Sequence, residues 1–168
     1  SKDSLAWATV TESDLRSEYV HAPAYSAVDT LTLSDGKESY TFDVSTKSVE
    51  VTDAETGEAT TQSVTVVKFG DKEIDEAYYR ILFDDMALIT CKGDATAADK
   101  NSEIFSVTYG YLTDRADDTV KYYSTSSQKV VPEVNGNVNC YIYKSDIDGI
   151  MANAKALSEG KEIKSILG

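Results

Sequence analysis

Three sets of residues carry side chains that could perform chemistry: one histidine, two cysteines and two pairs of adjacent aspartates. His21 is the only histidine in the chain, so any Ser-His-Asp or Cys-His mechanism would have to use it as the general base. It lies beside Ala22 and Pro23, in a stretch without a regular pattern. The sequence therefore favours a structural or exposed role for this imidazole.

Cys91 and Cys140 are the two cysteines of the chain, and neither has a second Cys or a His at a spacing that binds zinc. Free cysteine is commonly buried and packs as a small hydrophobic residue. We therefore expect two buried free thiols, with a disulfide between them as the alternative. Cys91 follows a predicted helix, whose C-terminal end disfavours a thiolate, so we do not expect a catalytic cysteine.

Adjacent aspartates, which suggest a glycosidase or a metal site, occur at Asp84-Asp85 and Asp117-Asp118. Neighbours on a helix point about 100° apart, which does not suit two carboxylates that flank one glycosidic bond. The turn that contains Asp117-Asp118 lacks the spaced Asp-x-Asp-x-Asp-Gly pattern of a calcium loop. We expect both pairs to form solvated acidic surface, with incidental Ca²⁺ binding as the alternative.

Motifs that identify common cofactor and hydrolase chemistry are absent from the chain. It contains no G-x-x-x-x-G-K-[ST], G-x-G-x-x-G, H-E-x-x-H, G-x-S-x-G or C-x-x-C. We therefore expect no catalytic residue, no cofactor and no metal ligand set.

Tyrosine is unusually frequent, with 11 residues in the chain. Tyr109 and Tyr111 share one face of a predicted strand, and Tyr141 and Tyr143 share one face of another. Tyrosine suits a half-buried sheet, with its ring packed and its hydroxyl in water. The alternative is an exposed aromatic row that binds a peptide, a glycan or another subunit. These four tyrosines are the candidate partner or ligand surface.

Length and charge restrict the class of protein. A chain of 168 residues suits one domain with a substantial core. Its formal net charge of −13 repels phosphate backbones and anionic headgroups, so we expect no nucleic-acid partner. No apolar run approaches the roughly 20 residues of a membrane-spanning helix, and residues 1–10 do not resemble a signal peptide. The chain as given is expected to be soluble.

Alternating polarity predicts strands along most of the chain. Residues 1–27 form a lead-in with a short helix near Ser13 to Tyr19. A hairpin follows with Leu31, Leu33, Tyr40 and Phe42 on its buried face, and then a second hairpin closed by a loop at 54–59. A surface loop is expected from Lys92 to Glu103. The predicted strands cover residues 28–34, 38–45, 47–53, 60–69, 103–113, 119–126, 129–134 and 137–143.

Two segments have the three-to-four-residue spacing of an amphipathic helix. The first stripe consists of Ile74, Tyr78, Ile81, Leu82, Met86 and Ile89, and the second of Ile147, Ile150, Met151, Ala154 and Leu157. Ser145 and Asp148 predict a capping box at the start of the second helix, and Gly160 suits its end. Asn135-Gly136 predicts a tight hairpin turn just before it.

Together these elements predict an α+β fold: a mainly antiparallel sheet of about eight strands built from hairpins, with two amphipathic helices. Residues 28–168 are expected to form a single domain. Residues 28–89 and 104–157 have the same order of hairpin, hairpin and helix, which suggests an internal duplication. Chance similarity between two ordinary units is the alternative.

The segments GDKEIDEAYYRILFDDMALITCKGD, FSVTYGYLTDRADDTVKYY and VNCYIYKSDIDGIMANAKAL occur in an order that resembles the bacterial DUF4340 family. The matching positions are Gly70 to Asp75 and Ser145 to Asp148, and the resemblance covers about residues 28–157. It implies an extracytoplasmic, often lipid-anchored protein of the cell envelope or cell surface. Its relatives are sometimes encoded with export or gliding-motility components.

The sequence therefore favours a non-enzymatic cell-envelope module that acts through contacts with a protein partner, in a transport-associated assembly. A signal or anchor segment, including a lipid anchor, is expected in the full-length precursor. The alternative is a module that binds a glycan or small molecule on the tyrosine-bearing sheet. An enzyme would require a pocket where carboxylates converge on Lys, Arg or Tyr.

Overall fold

The computed structural model describes residues 18–52, 54 and 57–167, which form one ten-stranded antiparallel sheet and two α-helices. The predicted α+β class is thereby confirmed. The strands are β1 (Val28–Ser34), β2 (Ser39–Thr52), β3 (Ala59–Phe69), β4 (Lys72–Ile74), β5 (Gly93–Asp94), β6 (Glu103–Tyr111), β7 (Asp118–Ser124), β8 (Lys129–Val134), β9 (Asn137–Val138) and β10 (Cys140–Tyr143). The helices are α1 (Glu76–Ala87) and α2 (Ile150–Ser158).

The sheet has the order β4-β3-β2-β1-β6-β7-β8-β10-β5, with β9 paired to β8. β1 and β6 meet in the middle, where Leu31 lies opposite Tyr109 and Leu33 opposite Val107. From this central pair, β2, β3 and β4 extend one way, and β7, β8, β10 and β5 extend the other. Duplication of the two halves stays a hypothesis, and superposing them is its test.

The first half differs from the prediction because β2 is one continuous strand of 14 residues rather than two strands. Its first part pairs with β1 and its whole second part with β3. No Gly, Pro or Asn interrupts residues 39–52, so the chain has no turn residue that would break it. The strand count reaches ten because β4 and β5 were not expected and because the strand predicted over residues 137–143 is divided into β9 and β10.

The core lies between one sheet face and the two helices. The predicted buried residues Leu31, Leu33, Tyr40 and Phe42 are all buried. Helix α1 presents Tyr79 and Phe83 to this core, whereas Tyr78 and Ile81 of the predicted stripe are only partly buried. The stripe of α1 is therefore rotated by about one residue from the expected one.

The start of α2 also differs from the prediction. Residues Lys144–Asp146 form a 3₁₀ turn, and the Asp146 carboxylate accepts a hydrogen bond from the Tyr143 backbone N–H at 2.8 Å. The α-helix begins only after Gly149, which has a φ of 100°. The prediction of a capping box formed by Ser145 and Asp148 is thus wrong. The apolar stripe of the helix and its end at Gly160 agree with expectation.

Segments at both ends of the described chain pack on the sheet and on α1. Tyr19 pairs with Thr90 in an isolated bridge, while residues 13–17 of the expected lead-in helix lie outside the described residues. At the other end, Ser165 and Ile166 donate hydrogen bonds to Asp85 of α1. Neither α1 nor α2 is long and apolar enough to cross a membrane.

Candidate ligand-binding site

The four candidate tyrosines do not form one exposed row. Tyr109 is 1% exposed and Tyr111 is 8% exposed, because both project from β6 into the space below the helices. Tyr109 packs edge-to-face on Phe83, with ring centroids 6.1 Å apart. The expectation of a ligand surface on these two residues is therefore wrong, and β6 contributes them to the core.

Tyr111 instead belongs to a polar cluster around Asp118, which we call the Asp118 cluster. The Tyr111 hydroxyl and the Arg115 guanidinium donate to Asp118 Oδ2, the latter at 2.6 Å. Asn135 Nδ2 donates to Oδ1 at 2.7 Å. The Nε2 atom of His21 lies 3.3 Å from Oδ2, without the alignment of a regular hydrogen bond.

The electrostatics of this cluster follow from burial and hydrogen bonding. Burial lowers the pKa of His21, and the nearby Asp118 carboxylate only partly opposes that shift. Burial of Asp118 favours its neutral form, yet the hydrogen bonds from Tyr111 and Asn135, together with the nearby His21 and Arg115, hold the pKa of this carboxyl below its usual value. Burial and the bond to Asp118 raise the pKa of Tyr111 to about 12.

The aspartate pairs therefore do not form the solvated acidic surface that was expected. Asp117 is exposed, but Asp118 is buried within its donors. Asp85 is buried beside the C-terminal segment, and Asp84 lies 3.6 Å from Arg80 at the surface. Alternation along a strand and rotation along a helix turn one member of each pair inward. Among the described residues, no group of three or more His, Cys, Asp or Glu side chains could hold a metal ion.

The two cysteines are also paired. Cys91 and Cys140 form a disulfide with Cα atoms 5.7 Å apart, so the expectation of two free thiols is wrong and the alternative is correct. The bond ties the chain after α1 to the start of β10, next to the pairing of Asp94 with Cys140. It therefore fixes the segment 91–94 at the edge of the sheet.

Tyr141 and Tyr143 lie on the outer face of β10, and they are the accessible members of the candidate set. Tyr143 is 45% exposed and Tyr141 is half-buried. Their ring centroids are 6.0 Å apart in an edge-to-face arrangement. Lys129 places its ammonium nitrogen 3.8 Å from the centre of the Tyr141 ring, which is a cation–π contact.

A cavity of about 280 Å³, here called the tyrosine cavity, opens beside Tyr141. The segment 94–101 forms one wall and the turn 125–127 forms another. Gly93 allows the ring to approach closely, because a Cβ atom there would lie 2.7 Å from a Tyr141 ring carbon. The polar groups that line the cavity are Asp94, Asp99, Asn101, Thr125, Ser126, Ser127 and Lys129.

A larger cavity of about 570 Å³ adjoins the disulfide. Its walls come from residues 18–20, from the disulfide-tethered segment 91–94, and from β8 and the β9–β10 region. Asn137 and Asn139 supply amides, and Pro132 and Val134 supply apolar surface. The two cavities both include Asp94 in their walls, so the segment held by the disulfide shapes both.

Sequence reasoning missed every contributor to the tyrosine cavity except Tyr141. Segment 92–103 has no apolar period and was expected to be a plain surface loop. The signal that could have placed it is the cysteine pair, because a Cys91–Cys140 bond brings the following residues to β10. With two free thiols, nothing in the sequence places residues 92–103 next to β10.

Comparison of the chain with protein-family models, with curated proteins and with solved structures finds no match. The resemblance to the DUF4340 family therefore stays a prediction from the quoted segments.

Proposed function

We propose that this protein is a non-enzymatic cell-envelope module that acts through contacts with a protein partner. The observation that supports the proposal is a projecting two-stranded arm, formed by residues 45–52 of β2 and 59–66 of β3. β1 pairs with β2 only as far as Asp43, and β4 pairs with β3 only from Val67. Among the described strands, the two strands of the arm thus pair only with each other.

The edge of β3 that faces away from β2 has no partner over residues 59–66 among the described strands, and we call it the free edge of β3. It is suited to main-chain recognition. Phe69 and Lys72 close a two-residue turn, in which the closing pair exchanges its main-chain hydrogen bonds. Alternation along β3 then turns the N–H and C=O groups of Thr61, Ser63 and Thr65 toward the free edge. Such groups bind an added strand, so the occupant we propose is an extended strand of a protein.

The protection that natural edge strands usually carry is missing here. Natural edges are shortened, charged, or interrupted by proline or a bulge to prevent pairing with other chains. β4 and β5 follow that rule, with three and two residues. Residues 59–66 of β3 contain no charged residue, Pro or Gly. This contrast supports a pairing role for the β3 edge.

An extracytoplasmic location is part of the proposal. The Cys91–Cys140 disulfide supports it, because disulfides persist mainly in oxidising compartments. A transport-associated assembly and an anchored precursor follow from the DUF4340 resemblance and are proposed on that basis.

The test uses the main-chain donor at Thr61. Thr61→Pro removes the outward N–H while the strand stays extended, and Thr61→Ala is the matched control that keeps it. Tagged chains are crosslinked in the envelope of the native host and purified. We expect wild type and Thr61→Ala to retain the same protein and Thr61→Pro to lose it. A partner retained equally by all three, or no reproducible partner, would contradict the proposal.

A second candidate function is carbohydrate binding in the tyrosine cavity. The specific observation is an aromatic wall beside carboxylate, amide and hydroxyl groups within a rigidly tethered pocket. Binding sites for small polar molecules combine apolar contact with a few directed polar groups in this way.

This alternative is tested by a glycan array followed by calorimetry on the strongest hit. Tyr141→Ala should weaken binding at least about tenfold, which corresponds to about 1.4 kcal/mol. Leu112→Ala is the control, because Leu112 is 64% exposed and lies outside the cavity. Absence of any bound glycan, or equal binding by the Tyr141 variant, would reject carbohydrate binding.

A further inference from the structure

We infer that the strand added to the β3 edge comes from a second copy of this chain, in a two-fold antiparallel pairing centred near Thr61. The inference rests on the proposed function, because it names the partner of the same edge. The arm of each copy would then form half of a four-stranded intermolecular sheet.

The first argument is the chemistry of the edge itself. A two-fold axis near Thr61 places Thr61 opposite its own counterpart and Ala59 opposite Ser63. Thr60 then lies opposite Gln62, and none of residues 59–63 is charged, so no like charges meet across these strands. In both copies the outward N–H and C=O groups belong to the odd-numbered residues of β3. This register places odd-numbered residues opposite each other, so donors and acceptors of the two strands can pair. The same surface is used twice, as a closed dimer requires.

The second argument is electrostatic. The chain has a net charge of −13, so two copies repel each other over most of their surfaces. The edge of the arm is uncharged, so two copies can meet there without repulsion between facing side chains.

The length of the arm separates the two bodies. Residues 46–52 of β2 extend past the last residues that β1 pairs, and seven residues of strand span roughly 23 Å. The Debye length at physiological ionic strength is about 8 Å. Contact through the arms therefore holds the acidic bodies more than one screening length apart.

The third argument is the stability of the arm. A two-stranded ribbon on its own is marginally stable in water, whereas three or more strands are needed for independent stability. Ser45, Lys47, Ser48 and Glu50 are exposed on β2, and residues 59–63 of β3 are exposed as well. Val66 is buried at the base of the arm, but the exposed outer part receives little support from the core. Pairing with a second arm supplies the missing strands.

The test measures the mass of the purified full chain by light scattering over a wide range of protein concentration. As the protein concentration increases, the measured mass of wild type and of Thr61→Ala should rise from that of a monomer toward that of a dimer. The mass of Thr61→Pro should stay that of a monomer. Hydrogen exchange should show concentration-dependent protection of the Thr61 and Ser63 amides in wild type. Exchange elsewhere in the sheet reports whether Thr61→Pro is folded, and Thr61→Lys with Thr65→Lys serves as a second edge variant.

The outcomes separate the inference from the proposed function. A wild-type chain that stays monomeric, without protection of the β3 amides, overturns the second-copy inference. If Thr61→Pro still loses a different protein in the envelope experiment, protein contact through the edge stands and only the identity of the partner is wrong. A dimer that persists in both edge variants places the interface elsewhere and also overturns the inference.

Discussion

At the scale of single residues, Asp118 is the acceptor around which a buried polar cluster is built. Its carboxylate receives donors from Tyr111, Arg115 and Asn135, and it lies beside the Nε2 atom of His21. A buried carboxylate is tolerated only where hydrogen bonds replace the lost water. The cluster therefore joins residues from four chain segments around one negative charge.

Protonation of His21 provides a pH test of this cluster. Unfolded histidine takes up a proton near pH 6.5, whereas burial lowers the pKa of His21 in the folded chain. The unfolded state then binds more protons below about pH 6.5, so the free energy of unfolding falls as the pH is lowered. We expect a decrease between pH 7 and pH 5 in wild type, measured by denaturant unfolding.

The control for this prediction is His21→Gln, which cannot take up a proton. Because the chain has no other histidine, the variant should show a flatter dependence in the same range. Parallel curves for the two proteins would show that His21 is not desolvated. The lowered pKa of Asp118 acts in a separate range, since its contribution is lost only as the pH falls below about 3.8.

Two buried tyrosines of the core differ in their hydroxyl groups. The Tyr79 hydroxyl has no hydrogen-bond partner among the described protein atoms, whereas that of Tyr111 donates to Asp118. An unpaired buried hydroxyl is unfavourable, so Tyr79→Phe should raise the free energy of unfolding by up to about 1 kcal/mol. Tyr111→Phe removes a bond to a charged group and should lower it by about 1.5–3 kcal/mol. Denaturant unfolding measures both, and a loss on Tyr79→Phe would contradict this prediction.

At the scale of elements, α1 anchors the C-terminal segment through Asp85. Its two oxygens accept hydrogen bonds from Ser165 Oγ at 2.5 Å and from the Ile166 backbone N–H at 3.1 Å. Ile163 is buried in the core at the same point. Residues 163–166 are therefore packed as part of the domain.

Adjacent aspartates make a matched comparison of this anchor. Asp85→Ala should lower the free energy of unfolding by about 1–3 kcal/mol, because buried donors lose their acceptor. Asp84→Ala removes only a surface ion pair with Arg80 and should change stability by less than about 1 kcal/mol. Hydrogen exchange at Ile166 should accelerate in Asp85→Ala alone. Equal effects of the two substitutions would show that the anchor contributes nothing.

Most of the elements could be predicted from side-chain periodicity, and the deviations have local causes. The hairpin of β1 and β2 and its buried residues follow from strict alternation. The sequence predicted two strands where β2 runs on through Thr46 to Ser48. β2 passes from pairing with β1 to pairing with β3 without a turn, and side-chain alternation does not report such a change of partner. The start of α2 was missed because Asp146, rather than Asp148, accepts the capping hydrogen bond, and it does so at a 3₁₀ turn that precedes the helix.

At the scale of the whole molecule, the disulfide is the one covalent link other than the chain itself among the described residues, and it ties the segment after α1 to β10. It joins positions 49 residues apart. It also holds the segment that forms walls of both cavities. The tyrosine cavity could not be predicted because it depends on this long-range link. Tyr109 is buried because its side of the sheet is covered by the helices, whereas Tyr143 is exposed on the outer face of β10, and alternation alone does not say which face of a strand is covered.

Loss of the disulfide should affect both stability and the cavity. The double variant Cys91→Ala with Cys140→Ala should unfold with about 2–4 kcal/mol less free energy than wild type. Mass analysis after alkylation checks the bond itself: the non-reduced protein should take up no label, and the reduced protein should take up two. Alkylation of both thiols without reductant would contradict the pairing.

The central position of β1 and β6 has a consequence for biosynthesis. When the first half has emerged from the ribosome or translocon, β1 still lacks its neighbour, because residues 103–111 have yet to be made. The nascent chain then presents an unsatisfied, apolar strand that other nascent chains can bind. Efficient production should therefore depend on holdase assistance during the interval between synthesis of β1 and delivery of β6.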